Sequence, residues 1–182
     1  MTAHNFWLIQ GTHMPIKKII ITSLVTMTLA ACNGTDNHND HDNLEMHIGP
    51  IESSQLLNNY PIFDEHKKDN EKPASNEEVA ELAKQLHNKE LVIVFGTWCH
   101  DSQREVPRLL NLIERVRLSH PEVSFTTRFH AVAPTGQRDP AITEKYQFKY
   151  VPTIMLFDNG REMGRIVERT EHSLAVDLAM MK

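Results

Sequence analysis

The chain has few cysteines, few glycines and no apolar run long enough to cross a membrane. Two cysteines in 182 residues are too few for a disulfide framework. The seven glycines form no glycine-rich loop of the kind that holds phosphate groups. The uncharged, mostly apolar stretch 19–31 has 13 residues, whereas a membrane-spanning helix needs roughly 20. These shortages exclude a disulfide-rich scaffold and a polytopic membrane protein, and they imply no cofactor.

The chain also lacks an excess of positive charge. Its 19 Lys and Arg residues against 24 Asp and Glu residues give a net charge of −5. A nucleic-acid-binding surface needs many cations to displace counterions, so we expect no nucleic-acid partner. Apolar residues make up 40% of the chain, too much for a disordered protein, and the length suits one globular domain with attachments.

The first 31 residues have the layout of a secretion signal. Lys17 and Lys18 form a short basic region, and the apolar stretch 19–31 follows it directly. The string Leu-Ala-Ala-Cys that ends at Cys32 resembles the bacterial lipoprotein signal, in which cleavage occurs before a cysteine that then carries the lipid. The resemblance implies a signal peptide over 1–31 and lipidation of Cys32. An ordinary secretory signal that ends near a cysteine is the alternative.

The same pattern predicts where the protein resides. Residues 1–13 lack the signal layout, so Met14 is the expected start of translation. Lipidation of Cys32 implies a membrane-anchored protein of the bacterial cell envelope that faces the periplasm, a compartment that permits disulfides. In the family pattern an Asp after the lipidated cysteine favours the inner membrane; Asn33 stands there instead, which favours the outer membrane.

A polar segment joins this cysteine to the rest of the chain. Residues 33–43 contain no apolar side chain, so 32–47 is predicted to be a flexible tether. Its His and Asp residues are compatible with weak metal binding, but so polar a segment has nothing to define a coordination geometry, and a solvated spacer is favoured. Scattered apolar residues in 48–75 predict a short irregular or helical lead-in segment that packs on the domain.

Helices and strands alternate in the domain predicted over 76–182. Ser75 and Glu78 have the spacing of a capping box, and the continuous apolar run 91–95 is typical of a strand buried on both faces. The predicted elements are, in order, a helix from Asn76, a strand at 91–95, a helix at 99–119, a strand at 123–131, a helix at 139–148, strands at 153–157 and 161–167, and a last helix around Leu174 and Leu178. This order predicts a three-layer α/β/α architecture with a central mixed sheet.

Three motifs of this domain together resemble the thioredoxin superfamily. Trp98 and Cys99 directly follow the predicted buried strand, where the family places its tryptophan, its nucleophilic cysteine and a helix start. Pro107 matches the proline that kinks the family's active-site helix. The segment 150–153, Tyr-Val-Pro-Thr, resembles the one that carries the family's cis-proline. The resemblance implies a thioredoxin-like fold.

From Trp98 to Ser102 the chain reads Trp-Cys-His-Asp-Ser, which is similar to a bacterial thioredoxin-like subgroup with Trp-Cys-x-Asp-Ser. Cys99 is the candidate nucleophile, because free backbone N–H groups and the helix dipole stabilise a thiolate at a helix N-terminus. Protonated His100 would strengthen this effect and Asp101 would oppose it. Ser102, one turn away, can donate a hydrogen bond to the thiolate but cannot close a disulfide. Trp98 is expected to shield one side of the sulfur.

The resemblance also implies a substrate-binding platform at Val151, Pro152 and Thr153. A cis bond before Pro152 would bring the backbone of Val151 beside the cysteine, as an edge to which an extended substrate hydrogen-bonds. His100 and Asp101 are the other residues expected to contact substrate. A simple proline at the start of a strand is the alternative interpretation of Pro152.

Two departures from the family shape the predicted function. Ser102 replaces the resolving cysteine, and Ile93 stands where thioredoxin has a buried Asp that helps to deprotonate it. A mixed disulfide on Cys99 must therefore be resolved by an outside thiol or by a second cysteine of the substrate. The sequence predicts a lipid-anchored thiol–disulfide oxidoreductase or isomerase of the monothiol type, acting on protein or low-molecular-weight thiols without a cofactor or metal. A non-redox binding module with the same groove and a redox-sensing thiol that forms a sulfenic acid are the alternatives.

Overall fold

The computed structural model describes residues 46–66 and 73–182. The predicted signal peptide, the lipidation of Cys32 and nearly all of the tether lie outside these ranges, so they stay predictions. None of the helices within the described ranges is long and apolar enough to cross a membrane.

A mixed sheet of five strands lies at the centre of the domain, in the order β1-β3-β2-β4-β5. The central strands β2 and β3 are parallel, whereas the pairs β1–β3, β2–β4 and β4–β5 are antiparallel. The strands are β1 Gly49–Ile51, β2 Glu90–Phe95, β3 Thr126–Ala131, β4 Thr153–Asp158 and β5 Arg161–Val167. The described helices are α1 Ser53–Asn59, α2 Pro61–His66, α3 Asn76–Leu86, α4 His100–Ser119, α5 Pro140–Tyr146 and α6 Leu174–Ala179.

Alternate side chains of β2 enter two separate hydrophobic cores. Leu91, Ile93 and Phe95 pack on one face of the sheet against α1, α2, α3, α4 and α6, while Val92 and Val94 pack on the other face with Tyr146 of α5. A strand covered on both faces has no polar side, which is why its sequence is a continuous apolar run. The predicted three-layer α/β/α fold is confirmed, with five helices on one face and α5 on the other.

Local signals set most of the element boundaries. The Ser75 hydroxyl accepts a hydrogen bond from the Glu78 N–H, and the Glu78 carboxylate accepts one from the Ser75 N–H, so the predicted capping box is present. The Asp139 carboxylate caps α5 by accepting a hydrogen bond from the Ala141 N–H at 2.9 Å. β3 begins later than predicted, because the Val123 N–H donates to the His120 carbonyl in a turn.

The lead-in segment contains a strand that the sequence did not predict. β1 pairs antiparallel with β3 and forms the outermost strand on that side of the sheet. Its three residues are too few to show an alternating pattern. The helices α1 and α2 follow it and bury Leu56 and Phe63 in the larger core. Residues 49–66 are therefore an integral part of the sheet and its core.

The topology brings four loops to one edge of the sheet. The parallel strands β2 and β3 both end there, at Phe95 and Ala131. β4 runs the opposite way and begins there at Thr153, and β5 returns to end there at Val167. We call this the Cys99 edge, and it consists of the loops 96–99, 132–139, 147–152 and 168–173.

Candidate functional site

Cys99 is the N-cap residue of α4 and is partly buried. Its backbone is extended, with φ −92° and ψ 121°, and its side chain makes no capping hydrogen bond to the helix. The first N–H groups of an α-helix have no partner within the helix, so they remain directed towards the side of α4 on which the sulfur lies. The loop from β2 to α4 therefore presents the thiol at a helix N-terminus, as the sequence predicted.

The Cys99 thiol contacts the loop that leads into β4. Its S–H donates a hydrogen bond to the Val151 carbonyl, with 3.3 Å between sulfur and oxygen. The peptide bond between Val151 and Pro152 is cis. The structure thus brings together two residues that are far apart in the sequence, and it does so at the Cys99 edge.

The Thr153 side chain is not exposed at the Cys99 edge. The side chain is buried, and its hydroxyl donates a hydrogen bond to the Tyr150 carbonyl at 2.7 Å. Thr153 is one of the three residues predicted to bind substrate, but its hydroxyl instead stabilises the conformation of the loop that precedes it. The exposed surface comes from Tyr150, whose side chain is 47% exposed.

Trp98 covers the turn between β2 and α4. Its indole N–H donates to the Val132 carbonyl at 2.9 Å. The ring lies so close to Gly96 that a Cβ atom there would be 2.7 Å from the indole. Glycine is thus required at this position by close approach. The contacts of the indole are with the backbone around Cys99, and its predicted shielding of the sulfur stays a prediction.

Ser102 is fully buried beneath the same turn. Its Oγ accepts a hydrogen bond from the Gly96 N–H at 3.1 Å. This bond ties the first turn of α4 to the end of β2, which steadies the segment that carries Cys99. In this bond the Ser102 hydroxyl is the acceptor and does not use its own proton. Donation of that proton to the Cys99 thiolate stays a prediction.

Ion pairs compensate the acidic residue next to Cys99. The Asp101 carboxylate lies 2.8 Å from a guanidinium nitrogen of Arg104 and 4.0 Å from one of Arg169. The hydrogen bond from Arg104 to Glu105 raises the pKa of the Arg104 guanidinium, and Asp101 adds to this effect. The negative charge that was expected to oppose a Cys99 thiolate is therefore paired with cations. His100 occupies the first position of α4 and is exposed.

A cation that the sequence analysis missed also belongs to the Cys99 edge. The Arg138 side chain is partly buried in the loop 132–139. Its Nε donates to the Ala133 carbonyl at 3.1 Å, its Nη1 donates to the Lys149 carbonyl at 2.7 Å, and its guanidinium lies 5.1 Å from the centre of the Phe148 ring. Burial lowers the pKa of Arg138, and a charged Cys99 opposes that shift. The sequence shows only that Arg138 follows the carboxyl end of a predicted strand. The parallel pairing of β2 and β3 is what brings that end to the same edge as Cys99.

The fourth loop of the Cys99 edge, 168–173, contacts the segment that contains Pro152. The Glu168 N–H donates to the Pro152 carbonyl at 2.8 Å, so the loop 168–173 is attached to the platform. Three apolar side chains of the edge are exposed: Trp98, Tyr150 and Val167 are 40%, 47% and 39% exposed. We call these three the apolar rim. Scattered exposed apolar residues are ordinary, but three at one edge of the sheet, on the loops 96–99 and 147–152 and at the end of β5, offer a surface on which an apolar substrate segment can lie.

The described residues contain no cluster of three or more His, Cys, Asp or Glu side chains that could hold a metal ion. His38 and His41 of the tether lie outside these residues, whereas His47 lies within them. A shallow pocket that includes Lys89, Glu90 and Asn159 lies at the opposite end of the sheet from Cys99, and its lining contains neither cysteine nor histidine.

No protein-family model matches the sequence, and no curated protein matches it either. Several solved structures are similar. A thioredoxin from Fasciola hepatica is 21% identical, with a TM-score of 0.37 over 56% of this chain and 88% of that chain. A protein of unknown function from Pseudomonas aeruginosa is 14% identical, with a TM-score of 0.42 over 68% of this chain and 69% of that one.

A third structure concerns the thiol resolving mechanism in yeast mitochondrial 1-Cys peroxiredoxin. It is 20% identical, with a TM-score of 0.32 over 56% of this chain and 85% of that chain. Similarities at TM-scores this low carry no argument. The chain has a three-layer α/β/α fold, with a mixed five-stranded sheet and a cis-proline at the edge where α4 begins.

Proposed function

We propose that the protein catalyses monothiol thiol–disulfide exchange through Cys99. The observation that carries the proposal is the position of its sulfur, 3.3 Å from the Val151 carbonyl at an edge where four loops meet. Cys99 is a free cysteine, and the described residues offer it no disulfide partner. Ser102 lies one turn along α4, and because it has no thiol it cannot resolve a mixed disulfide.

The reaction has two exchange steps that balance in atoms and electrons. The Cys99 thiolate attacks one sulfur of a substrate disulfide; a new S–S bond forms, the old one breaks, and the departing sulfur leaves as a thiolate that takes up a proton. A second thiolate, from the substrate itself or from a low-molecular-weight thiol, then attacks the substrate sulfur of the mixed disulfide. This step releases the Cys99 thiolate, so the protein undergoes no net oxidation or reduction.

The surface of the Cys99 edge favours a protein substrate. The apolar rim offers contact area at the same edge of the sheet as the thiol, and the Val151 backbone lies beside the sulfur. An extended polypeptide with an apolar side chain near its cysteine would bury the rim and bring its sulfur to Cys99. A small hydrophilic thiol would leave the rim exposed, which makes it the better candidate for the second exchange step.

Lipid anchoring in the bacterial envelope is part of the proposal. It is supported by the basic, apolar and small residues that precede Cys32. The test is metabolic labelling with a radioactive fatty acid in bacteria that express the full chain. Label on the unaltered chain and none on Cys32→Ser is expected; equal label on both would contradict the anchor without bearing on Cys99.

The exchange activity is tested with the two cysteines as matched controls, because the chain has only two. The full chain, Cys32→Ser and Cys99→Ser are each incubated with a glutathionylated peptide and reduced glutathione, and the release of the free peptide is followed. Cys32→Ser should keep the activity and Cys99→Ser should lose it. Mass spectrometry of Cys32→Ser should show a mixed disulfide on Cys99.

Two other outcomes would contradict the proposal. Peptide release by Cys99→Ser at the rate of the unaltered chain would show that the thiol does not turn over. Binding of the peptide by all three proteins without any release would favour the binding module. Neither outcome can be confused with loss of the lipid anchor, since that is read from Cys32→Ser alone.

A further inference from the structure

We propose that Arg138 is a positioning residue whose guanidinium, held by backbone carbonyls, is the counter-cation of the Cys99 thiolate. The inference rests on the proposed function, because it concerns the charge state of the nucleophile. It depends on where the loops 132–139 and 147–152 place this side chain and on how they hold it.

The Arg138 side chain is immobilised on three sides. Two of its N–H groups donate to the Ala133 and Lys149 carbonyls, and the flat guanidinium lies over the Phe148 ring. An arginine held by two carbonyls and one aromatic face has lost most of its rotamer freedom before any ligand arrives. A cation preorganised in this way is more effective than one on a flexible, hydrated side chain.

The same contacts place the guanidinium beside the nucleophile. Arg138 binds the Lys149 carbonyl, and the Cys99 thiol binds the Val151 carbonyl two residues further along the loop. The Phe148 ring beneath the guanidinium belongs to the hydrophobic cluster against which Cys99 packs. In addition, a charged Cys99 opposes the lowering of the Arg138 pKa by burial, as a neighbouring anion would.

Several other charged groups around Cys99 are paired, stacked or exposed. Asp101 is paired with Arg104, and the Lys149 ammonium lies over the Tyr150 ring, 5.2 Å from its centre. The Arg169 side chain is largely exposed and faces Asp101 from the last loop. The titratable or charged residues of the Cys99 edge and of the element ends beside it are His100, Asp101 and Arg104 of α4, His130 of β3, Arg138 and Asp139 before α5, Lys149 and Tyr150 before β4, and Glu168, Arg169, Glu171 and His172 after β5.

This arrangement gives Arg138 a defined part in both exchange steps. A fixed cation lowers the energy of the thiolate before the first attack, and it does the same when Cys99 leaves as a thiolate in the second. In the mixed disulfide the sulfur carries no charge, so the cation then favours its release. The residue acts through Cys99 and need not touch the substrate.

The test measures how the alkylation of Cys99 by iodoacetamide depends on pH. The full chain with Cys32→Ser is compared with the same chain that also carries Arg138→Met, Arg138→Gln or Arg138→Lys. The measured quantity is the ratio of the rate at pH 6.5 to the rate at pH 9.5, which reports the thiolate fraction. A partly screened charge pair predicts that Met and Gln lower this ratio by roughly three- to tenfold, whereas Lys recovers part of it.

The controls separate charge from structure. Arg128→Met removes an arginine that is paired with Glu90 on the surface of the sheet, and it should leave the ratio unchanged. Circular dichroism reports folding of each variant; if Arg138→Met fails to fold, Arg138→Gln, which keeps a hydrogen-bond donor, answers the same question.

An unchanged ratio in a folded Met or Gln variant would overturn the role of Arg138, even if peptide release by the unaltered chain is normal. A lowered ratio with no peptide release by the unaltered chain would sustain the role and contradict exchange. A lowered ratio that Lys does not recover at all would point to packing rather than charge.

Discussion

Trp98 and Arg138 are held by neighbouring carbonyls: the Trp98 indole N–H donates to Val132 and the Arg138 Nε donates to Ala133. Both side chains are therefore attached to the segment that follows β3, at the Cys99 edge. One short stretch of backbone therefore positions an aromatic ring and a cation that come from different loops. The site depends on the end of β3 as much as on the loop that carries the thiol.

Gly96→Ala is expected to destabilise the domain by about 1–3 kcal/mol, the range for overpacking a tight site. The reason is the 2.7 Å distance between a Cβ atom at this position and the Trp98 indole. Urea unfolding followed by circular dichroism measures the effect. The double variant Gly96→Ala with Trp98→Ala should cost less than the sum of the two single changes, because the clash is gone. Strict additivity would contradict the contact.

Ser102→Ala should destabilise the domain by about 1–3 kcal/mol, because it leaves the buried Gly96 N–H without its acceptor. The free energy of unfolding in urea is the measurement. Ser102→Thr, which keeps a hydroxyl, is the matched control for loss of the acceptor, although its extra methyl group adds a packing cost. A change below about 0.5 kcal/mol for Ser102→Ala would show that water or another group replaces the hydroxyl.

Ser102→Cys is expected to convert the monothiol site into a dithiol site. The two residues lie one turn apart at the start of α4, a spacing at which a disulfide can close. After mild oxidation, alkylation and mass spectrometry in the Cys32→Ser background should show both thiols protected. The reduced variant should resolve a mixed disulfide on Cys99 once without an added thiol, releasing the peptide thiol and leaving the protein with the internal disulfide. Two free thiols after oxidation would contradict the proposed geometry.

Phe63→Ala should lower the free energy of unfolding by about 3–5 kcal/mol, the usual cost of removing a buried phenylalanine. Its ring is fully buried and meets the Phe95 ring edge to face, with 5.9 Å between the ring centres. The exposed Leu118→Ala, on the surface of α4, is the control and should change stability little. A small effect of Phe63→Ala would show that α2 contributes little to the core.

His130 gives the stability of the domain a dependence on pH. Burial lowers the pKa of His130 from its ordinary value near 6.5; Lys145 and His47 add to the shift and Asp139 opposes it. Between the lowered pKa and about 6.5 the unfolded chain binds a proton that the folded chain does not, so stability rises with pH through this window. His130→Gln should reduce the increase in unfolding free energy from pH 5 to pH 7, measured in urea. Equal increases in the unaltered chain and in His130→Gln would contradict this contribution of His130.

Local signals in the sequence predicted much of this molecule because their causes are local. The capping box at Ser75, the Asp139 cap with proline after it and the uninterrupted apolar run of β2 each act over a few residues. The same holds for the placement of Cys99 at a helix N-terminus directly after a buried strand. β1 escaped prediction because a three-residue strand has no periodicity, and its pairing with β3 is a contact across the fold.

The sequence alone determined which residue is the candidate nucleophile, that it has no cysteine one turn away, and the order of helices and strands that carries it. Only the tertiary structure decided what surrounds the sulfur. The contact of Cys99 with the Val151 carbonyl, that of Trp98 with the Val132 carbonyl and that of Arg138 with the Lys149 carbonyl depend on loops that meet at one edge of the sheet. Such contacts join distant parts of the chain, so no short stretch of sequence encodes them.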